Sequence, residues 1–180
     1  IYEGSYNISV GSWGYITYCS TEYIDSSSSL LISLEHGYYD DFTFDFGWSV
    51  TGAINQSEDG IWERGFPQGT IDNQGQYYNP PLDISNDCMS FAYVTGLQSG
   101  SQIGSYDVDN ANTILTSPIF ELNPNLDHTL SLYSWFQNGF PWGGGANDSL
   151  KIMITNGSTT VPLEILTSSS PNLGQWNQKS

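Results

Sequence analysis

The chain has 180 residues, 38% hydrophobic and 14% aromatic, which is enough to bury a core in one ordinary domain or two small ones and excludes a disordered segment. Three basic residues, Arg64, Lys151 and Lys179, stand against 19 acids for a formal net charge of -16. A field of that sign repels phosphate backbones and anionic lipid, so nucleic-acid and membrane-surface roles are disfavoured, and no stretch reaches the roughly 18 apolar residues of a membrane span.

Helical signals are missing, since no window spaces apolar residues at i, i+3, i+4 and i+7 between caps. Short β-branched and aromatic runs alternate instead with Gly, Asn, Ser and Pro. In chain order, strands are predicted over 6–10, 15–19, 30–34, 42–48, 91–95, 113–122, 129–136, 150–155 and 160–166. That rhythm predicts an all-β sandwich. Ser26 to Ser29 reads as a hairpin tip or loop, and Gly143 to Asn147 as a surface loop after Trp142.

One boundary stands out. From Leu34 to Asp41 a strand is expected to end at Gly37 and an acidic, aromatic segment to begin. The chain before it holds roughly three or four strands, too few to close a sandwich unaided, so residues 1–36 are expected to be the end of one β-domain and residues 37–180 a second one. Within the second, Leu150, Ile152 and Ile154 share one strand face and Lys151, Met153 and Thr155 the other. Residues 129–136 alternate through Leu130 and Leu132 and then turn wholly apolar and aromatic, as suits a more enclosed strand.

For catalysis the residue inventory is thin: no zinc-protease helix motif, nucleophile elbow, P-loop or dinucleotide fingerprint occurs. His36 and His128 are far apart and lack acids at ligand spacing, so each reads as a turn or surface residue. A carboxylate pair for glycoside hydrolysis, such as Asp107 and Asp109, remains the last-ranked reading because acids are so common here. The acidic clusters read better as hard-cation ligands. Asp41 and Asp45, with Asp40 beside them, fall on one side of an extended strand, and Asp107, Asp109 and Asn110 offer two carboxylates and an amide oxygen. Calcium takes six to eight such oxygens from flexible loops, whereas the plainer reading is that Asp and Asn simply favour turns.

Arg64, flanked by Glu63, is expected to stack on an aromatic ring and pair with a carboxylate. Trp142, Tyr77 and Tyr78 stand in loop-like contexts and are the candidate sugar-stacking residues of a carbohydrate-binding module, while Trp48 and Trp135 are expected in the core. Cys19 and Cys88 lack any metal or redox spacing. A disulfide between them and two separate buried thiols are both open, and their expected placement in different modules favours separate thiols.

Several segments, in order, carry a family resemblance: Asp40-Asp-Phe, Gly60-Ile-Trp-Glu-Arg-Gly-Phe-Pro-Gln-Gly-Thr, Tyr93-Val-Thr-Gly, Asp107-Val-Asp-Asn-Ala-Asn-Thr-Ile-Leu-Thr-Ser-Pro-Ile-Phe-Glu-Leu and Thr129-Leu-Ser-Leu-Tyr-Ser-Trp-Phe-Gln-Asn. Over about residues 38 to 180 the chain resembles the jelly-roll modules appended to secreted bacterial peptidases and adhesins, the choice-of-anchor J, cleaved-adhesin and MAM-like group. The resemblance implies a jelly-roll β-sandwich with structural calcium on Asp40, Asp41, Asp107, Asp109 and Asn110. Asn110 stands where that family usually has glycine, and the family's closing Asp-rich strand is not found after Trp176, so truncation at the C-terminal end is expected. Upstream, Glu3-Gly-Ser-Tyr-Asn-Ile-Ser-Val-Gly-Ser-Trp-Gly-Tyr resembles the end of a carboxypeptidase regulatory-like domain, a small prealbumin-like β-sandwich.

The resulting expectation is a secreted or cell-surface, non-catalytic, calcium-stabilised accessory or adhesion module of a larger protein. Its expected partners are neighbouring domains of the same polypeptide, or an extracellular or host protein or glycan. A carbohydrate-binding module and a glycoside hydrolase fragment are the alternatives.

Overall fold

Turn residues interrupt this chain every few positions, so its strands are short and pair locally or across long connections. The computed structural model describes residues 2–52, 60–97, 103–104, 108, 112–138 and 148–180. Among them the regular elements are all strands: β1 (Gly4–Val10), β2 (Tyr18–Ile24), β3 (Ser49–Thr51), β4 (Trp62–Gly65), β5 (Thr70–Ile71), β6 (Tyr77–Asn79), β7 (Ala92–Thr95), β8 (Ile114–Thr116), β9 (Leu132–Trp135), β10 (Leu150–Thr155), β11 (Thr160–Leu166) and β12 (Trp176–Lys179). The all-β class expected from the sequence is what forms. Each strand pairs antiparallel with one other, as β1-β2, β3-β8, β4-β7, β5-β6, β9-β12 and β10-β11.

Two compact units result. The first takes Ile1–Pro67, Asp83–Leu97 and Tyr106–Asp127. Its β1-β2 hairpin runs from Gly4 opposite Ile24 to Val10 opposite Tyr18, and alternate residues of β2 are half-buried and exposed, as one covered face requires. The next segment folds back on the hairpin loop: Ile16 donates to the Glu35 carbonyl, Gly37 to that of Gly14, and bridges join Tyr15 to His36 and Ile16 to Tyr39. Backbone hydrogen bonds thus cross the position where the domain boundary was expected. His36 stacks on Tyr15 at 4.5 Å between centroids.

Ala92 and Val94, on one face of β7, are the buried aliphatics of this unit. Aromatic clusters do the rest of the filling. Trp13 meets Tyr38, Phe46 and Phe120 at 5.2, 6.1 and 5.0 Å and donates its indole N–H to the Ile119 carbonyl. Phe42, Trp48 and Tyr93 form a second cluster, with centroids 5.1 to 6.0 Å apart. Gly52 sits at φ +144, where an added Cβ would lie 2.1 Å from the Asn112 carbonyl oxygen, so the β3-β8 ladder needs glycine there.

The second unit comprises Gln68–Leu82, Gln98–Ser105 and His128–Ser180. In β10-β11 a register shift at Ile152/Met153 ends the predicted alternation: Leu150 and Ile152 are half-buried, but Ile154 is 46% exposed. Trp135 and Trp176 face each other across β9-β12, edge to face at 5.9 Å, and their indole N–H groups donate to the carbonyls of Tyr78 and Leu82. Trp48 and Trp135, expected in the core, are both half-buried.

Several strand predictions fail. Residues 30–34 and 42–48 form no strand, and only Ile114–Thr116 of 113–122 does. Leu31 is 90% exposed: an apolar run becomes a strand only where another edge accepts its hydrogen bonds. Conversely, β4 escapes a hydrophobicity reading because its central residues are Glu63 and Arg64, and β12 forms after Trp176, where no strand was expected.

Candidate functional site

The acidic segment 40–47 lies in the first unit. It was expected to be an extended strand presenting Asp41 and Asp45 on one side. It is a series of turns instead, because each aspartate accepts a backbone N–H two residues ahead: Asp40 from Phe42 at 2.8 Å, Asp41 from Thr43 at 3.0 Å and Asp45 from Gly47 at 3.0 Å. The turns hold Phe42 at φ 58, a left-handed conformation unusual for a bulky residue. Both backbone groups of Phe42 are fastened by side chains. Asp40 takes its N–H and, through Oδ2, the Trp48 indole N–H at 2.7 Å, while Arg64 donates to its carbonyl at 2.8 Å.

Arg64 also lies over the Phe91 ring, 5.0 Å from its centroid. The expected aromatic stacking is present, and among the described residues the guanidinium donates to the Phe42 carbonyl and forms no ion pair, while Asp59, the nearby acid, lies outside them. Burial raises the Asp40 pKa, opposed by the hydrogen bonds from Trp48 and Phe42.

Asp41 is 3% exposed, and its Oδ2 accepts the backbone N–H of Cys88 at 2.9 Å. One carboxylate therefore ties the acidic turn to the distant 83–88 segment. A covalent tie lies beside it: Cys19 and Cys88 form a disulfide across 69 positions, Cα atoms 5.8 Å apart. The expectation of two separate buried thiols is corrected. It rested on placing the cysteines in different modules, whereas the fold brings the start of β2 and the 83–88 segment together.

Around Cys88 the acids converge. Tyr39 donates its hydroxyl to Asp87 Oδ1 at 2.6 Å. Asp83 and Asp87 influence one another electrostatically, and Asp41 adds its charge to both. Burial, followed by the Asp87 carboxylate, pushes the Asp83 pKa up to about 7 despite the Ile84 backbone N–H. Burial also raises Asp87, against the hydrogen bond from Tyr39. The Tyr39 hydroxyl is raised, first by burial and then by its bond to Asp87.

The calcium expectation meets a poor fit here. Among the described residues no group of three or more His, Cys, Asp or Glu is placed to hold a metal ion. Asp40 and Asp41 each commit both oxygens to N–H donors and Asp45 commits one, so these acids serve the backbone. Asp107, Asp109 and Asn110 of the second acidic cluster, and Trp142 of the aromatic candidates, lie outside the described residues. Tyr77 and Tyr78 fall on β6, in the second unit, Tyr77 exposed and Tyr78 half-buried.

Sequence reasoning passed over Asp83 and Asp87. Their Asp-Ile-Ser-Asn-Asp-Cys context looks like an ordinary polar loop, and only their adjacency to Cys88 hinted at a packed environment. Comparison with protein-family models, curated proteins and solved structures finds no match for this chain.

Proposed function

We propose that this chain is a non-catalytic accessory module of a secreted or cell-surface bacterial multidomain protein, of the jelly-roll kind appended to peptidases and adhesins. The Cys19–Cys88 disulfide carries the reading: both cysteines of the chain are paired, and structural disulfides persist in oxidising, extracytoplasmic compartments. The ordered motifs from Asp40 to Asn138 supply the family resemblance. The acids also support an architectural role, since Asp40, Asp41 and Asp45 spend their oxygens on backbone turns. Calcium enters this proposal through Asp107, Asp109 and Asn110 alone, whose spacing offers three oxygen donors within four residues.

The partner proposed is a neighbouring domain of the same polypeptide. On the β10-β11 hairpin, Met153, Ile154, Val161, Leu163 and Ile165 are each 45 to 50% exposed, a concentration of apolar surface that suits contact with another domain. The proposal is tested on the protein isolated from its source without reductant. Thiol labelling is expected to find neither cysteine free, and peptide and polysaccharide substrates are expected to show no turnover. Two free thiols would remove the argument for export, and saturable turnover would remove the non-catalytic role. A melting temperature unchanged by chelator would remove calcium alone.

A further inference from the structure

The second unit carries a surface that the domain contact proposed for β10-β11 leaves unused. We propose that the outer face of the β9-β12 ladder binds a neutral glycan, whose sugar rings stack on Tyr133, Trp135 and Trp176 and whose hydroxyls meet Gln178 and the serines beside it.

The pairing register sets this face. Trp176 stands opposite Trp135, Asn177 opposite Ser134, Gln178 opposite Tyr133 and Lys179 opposite Leu132. Directly opposed side chains leave an antiparallel ladder on the same side, and the sides alternate along each strand. Leu132, Ser134, Asn177 and Lys179 therefore share one side. It is the covered one: Ser134 is 8% exposed, the other three are half-buried, and Lys179 pairs with Glu164 of β11 at 2.7 Å. Tyr133, Trp135, Trp176 and Gln178 share the other side, which continues past the strands to Ser131 and Ser180, whose hydroxyls meet at 2.8 Å. Here Ser131, Tyr133, Gln178 and Ser180 are exposed, and the two tryptophans are half-buried.

Three features of this face match sugar chemistry. Its indoles are fixed before any ligand arrives: they meet edge to face at 5.9 Å, and their N–H groups donate to the Tyr78 and Leu82 carbonyls, so little side-chain freedom is lost on binding. Such in-plane bonds occupy ring edges, and it is the ring faces that stack on the C–H side of a pyranose. Its polar groups are hydroxyls and a carboxamide, which both donate and accept, as sugar hydroxyls do. A proline-rich peptide also stacks on aromatic rings, but it offers carbonyl acceptors and few donors, and so leaves the Gln178 and serine oxygens unmatched.

The third feature is the lack of charge. The second unit has three acids, Asp72, Asp148 and Glu164, against two bases, Lys151 and Lys179, while the first unit carries the remaining acids and Arg64. None of these five stands on the outer face, and Lys179 and Glu164 neutralise one another. An acidic sugar would find no cation there and a basic peptide no anion, whereas a neutral oligosaccharide needs neither.

The test titrates the full chain with cellohexaose, mannohexaose and N-acetylchitohexaose, following heat and tryptophan emission, with polygalacturonate and decaproline as the acidic and proline-rich comparisons. At least one neutral hexasaccharide is expected to bind with a Kd of about 1 mM or tighter and to shift the emission. Its affinity is expected to be the same at about 0.05 M and about 0.5 M salt. Tyr133→Ala, at a position 44% exposed, is expected to weaken binding about tenfold or more, and Gln178→Ala about threefold to tenfold. Tyr2→Ala, which removes a 91% exposed ring from the first unit, is expected to leave binding unchanged. Melting temperatures of the variants separate lost binding from lost fold, and Gln178→Ala carries the test if Tyr133→Ala does not fold. No heat or emission change with any of the three sugars at about 10 mM overturns the site. So does binding that both substitutions leave intact, or that Tyr2→Ala weakens equally, or tighter binding of polygalacturonate or decaproline, which would make the face an anion or peptide surface.

Discussion

Replacing Asp41 tests whether the acidic segment is a backbone fastener. Its carboxylate is 3% exposed and accepts two N–H groups, from Thr43 at 3.0 Å and from Cys88 at 2.9 Å. A hydrogen bond to a charged group contributes about 1.5–3 kcal/mol, so Asp41→Ala forfeits about 3–6 kcal/mol of bonding and strands two donors. Relief of the repulsion that Asp41 exerts on Asp83 and Asp87 offsets part of this, leaving an expected net loss of about 3–4 kcal/mol. At about 2–4 °C per kcal/mol for a chain of this size, that lowers the melting temperature by about 6–16 °C. Asp41→Asn keeps one acceptor and turns an amide N–H towards the other donor, so about half the loss is expected. Asp45→Ala, which removes one exposed bond to Gly47, is the control, at about 0.5 kcal/mol. Urea midpoints with an unchanged slope give the three values. The reasoning is refuted if Asp41→Ala costs no more than the Asp45 control, or if chelator alone reproduces its effect on the wild type.

Two further outcomes rest on other parts of the first unit. Reducing the Cys19–Cys88 bond, which spans 69 positions, removes a loop-closure restraint of about 4 kcal/mol from the unfolded chain. A fall of about 8–16 °C in melting temperature is expected with a phosphine reductant, and no fall would show that the bond does not restrain this fold. Gly52→Ala places a Cβ 2.1 Å from the Asn112 carbonyl oxygen at φ +144, so a loss of about 2 kcal/mol or more in urea unfolding is expected. A neutral result would mean that the β3-β8 ladder does not hold Gly52 in that conformation.

The legible parts of the fold were those decided locally. β1, β7, β10 and β11 lie where β-branched and aromatic runs stand between turn residues, because side-chain sterics and turn chemistry act within a few positions. The illegible parts depended on partners remote in sequence. Leu30 to Leu34 has a strand-like composition and no ladder, whereas β4 forms around Glu63 and Arg64 because β7 supplies an edge, Leu97 donates to Glu63 and Arg64 finds the Phe42 carbonyl.

The same division holds for the acids. Sequence alone determined that aspartates would crowd the start of the acidic segment and that cations would be scarce, since both are matters of composition. Whether a given carboxylate caps a turn, holds a proton or remains in solvent was decided by tertiary structure. Asp41 became a buried fastener only when Cys88 was brought to it, and Asp87 gained the Tyr39 hydroxyl only when the stretch at 36–39 was brought to the 83–88 segment. The energy of a carboxylate depends on the donors and charges within a few ångströms, and for Asp41 and Asp87 one of those donors comes from a segment more than forty residues away, about which local sequence is silent.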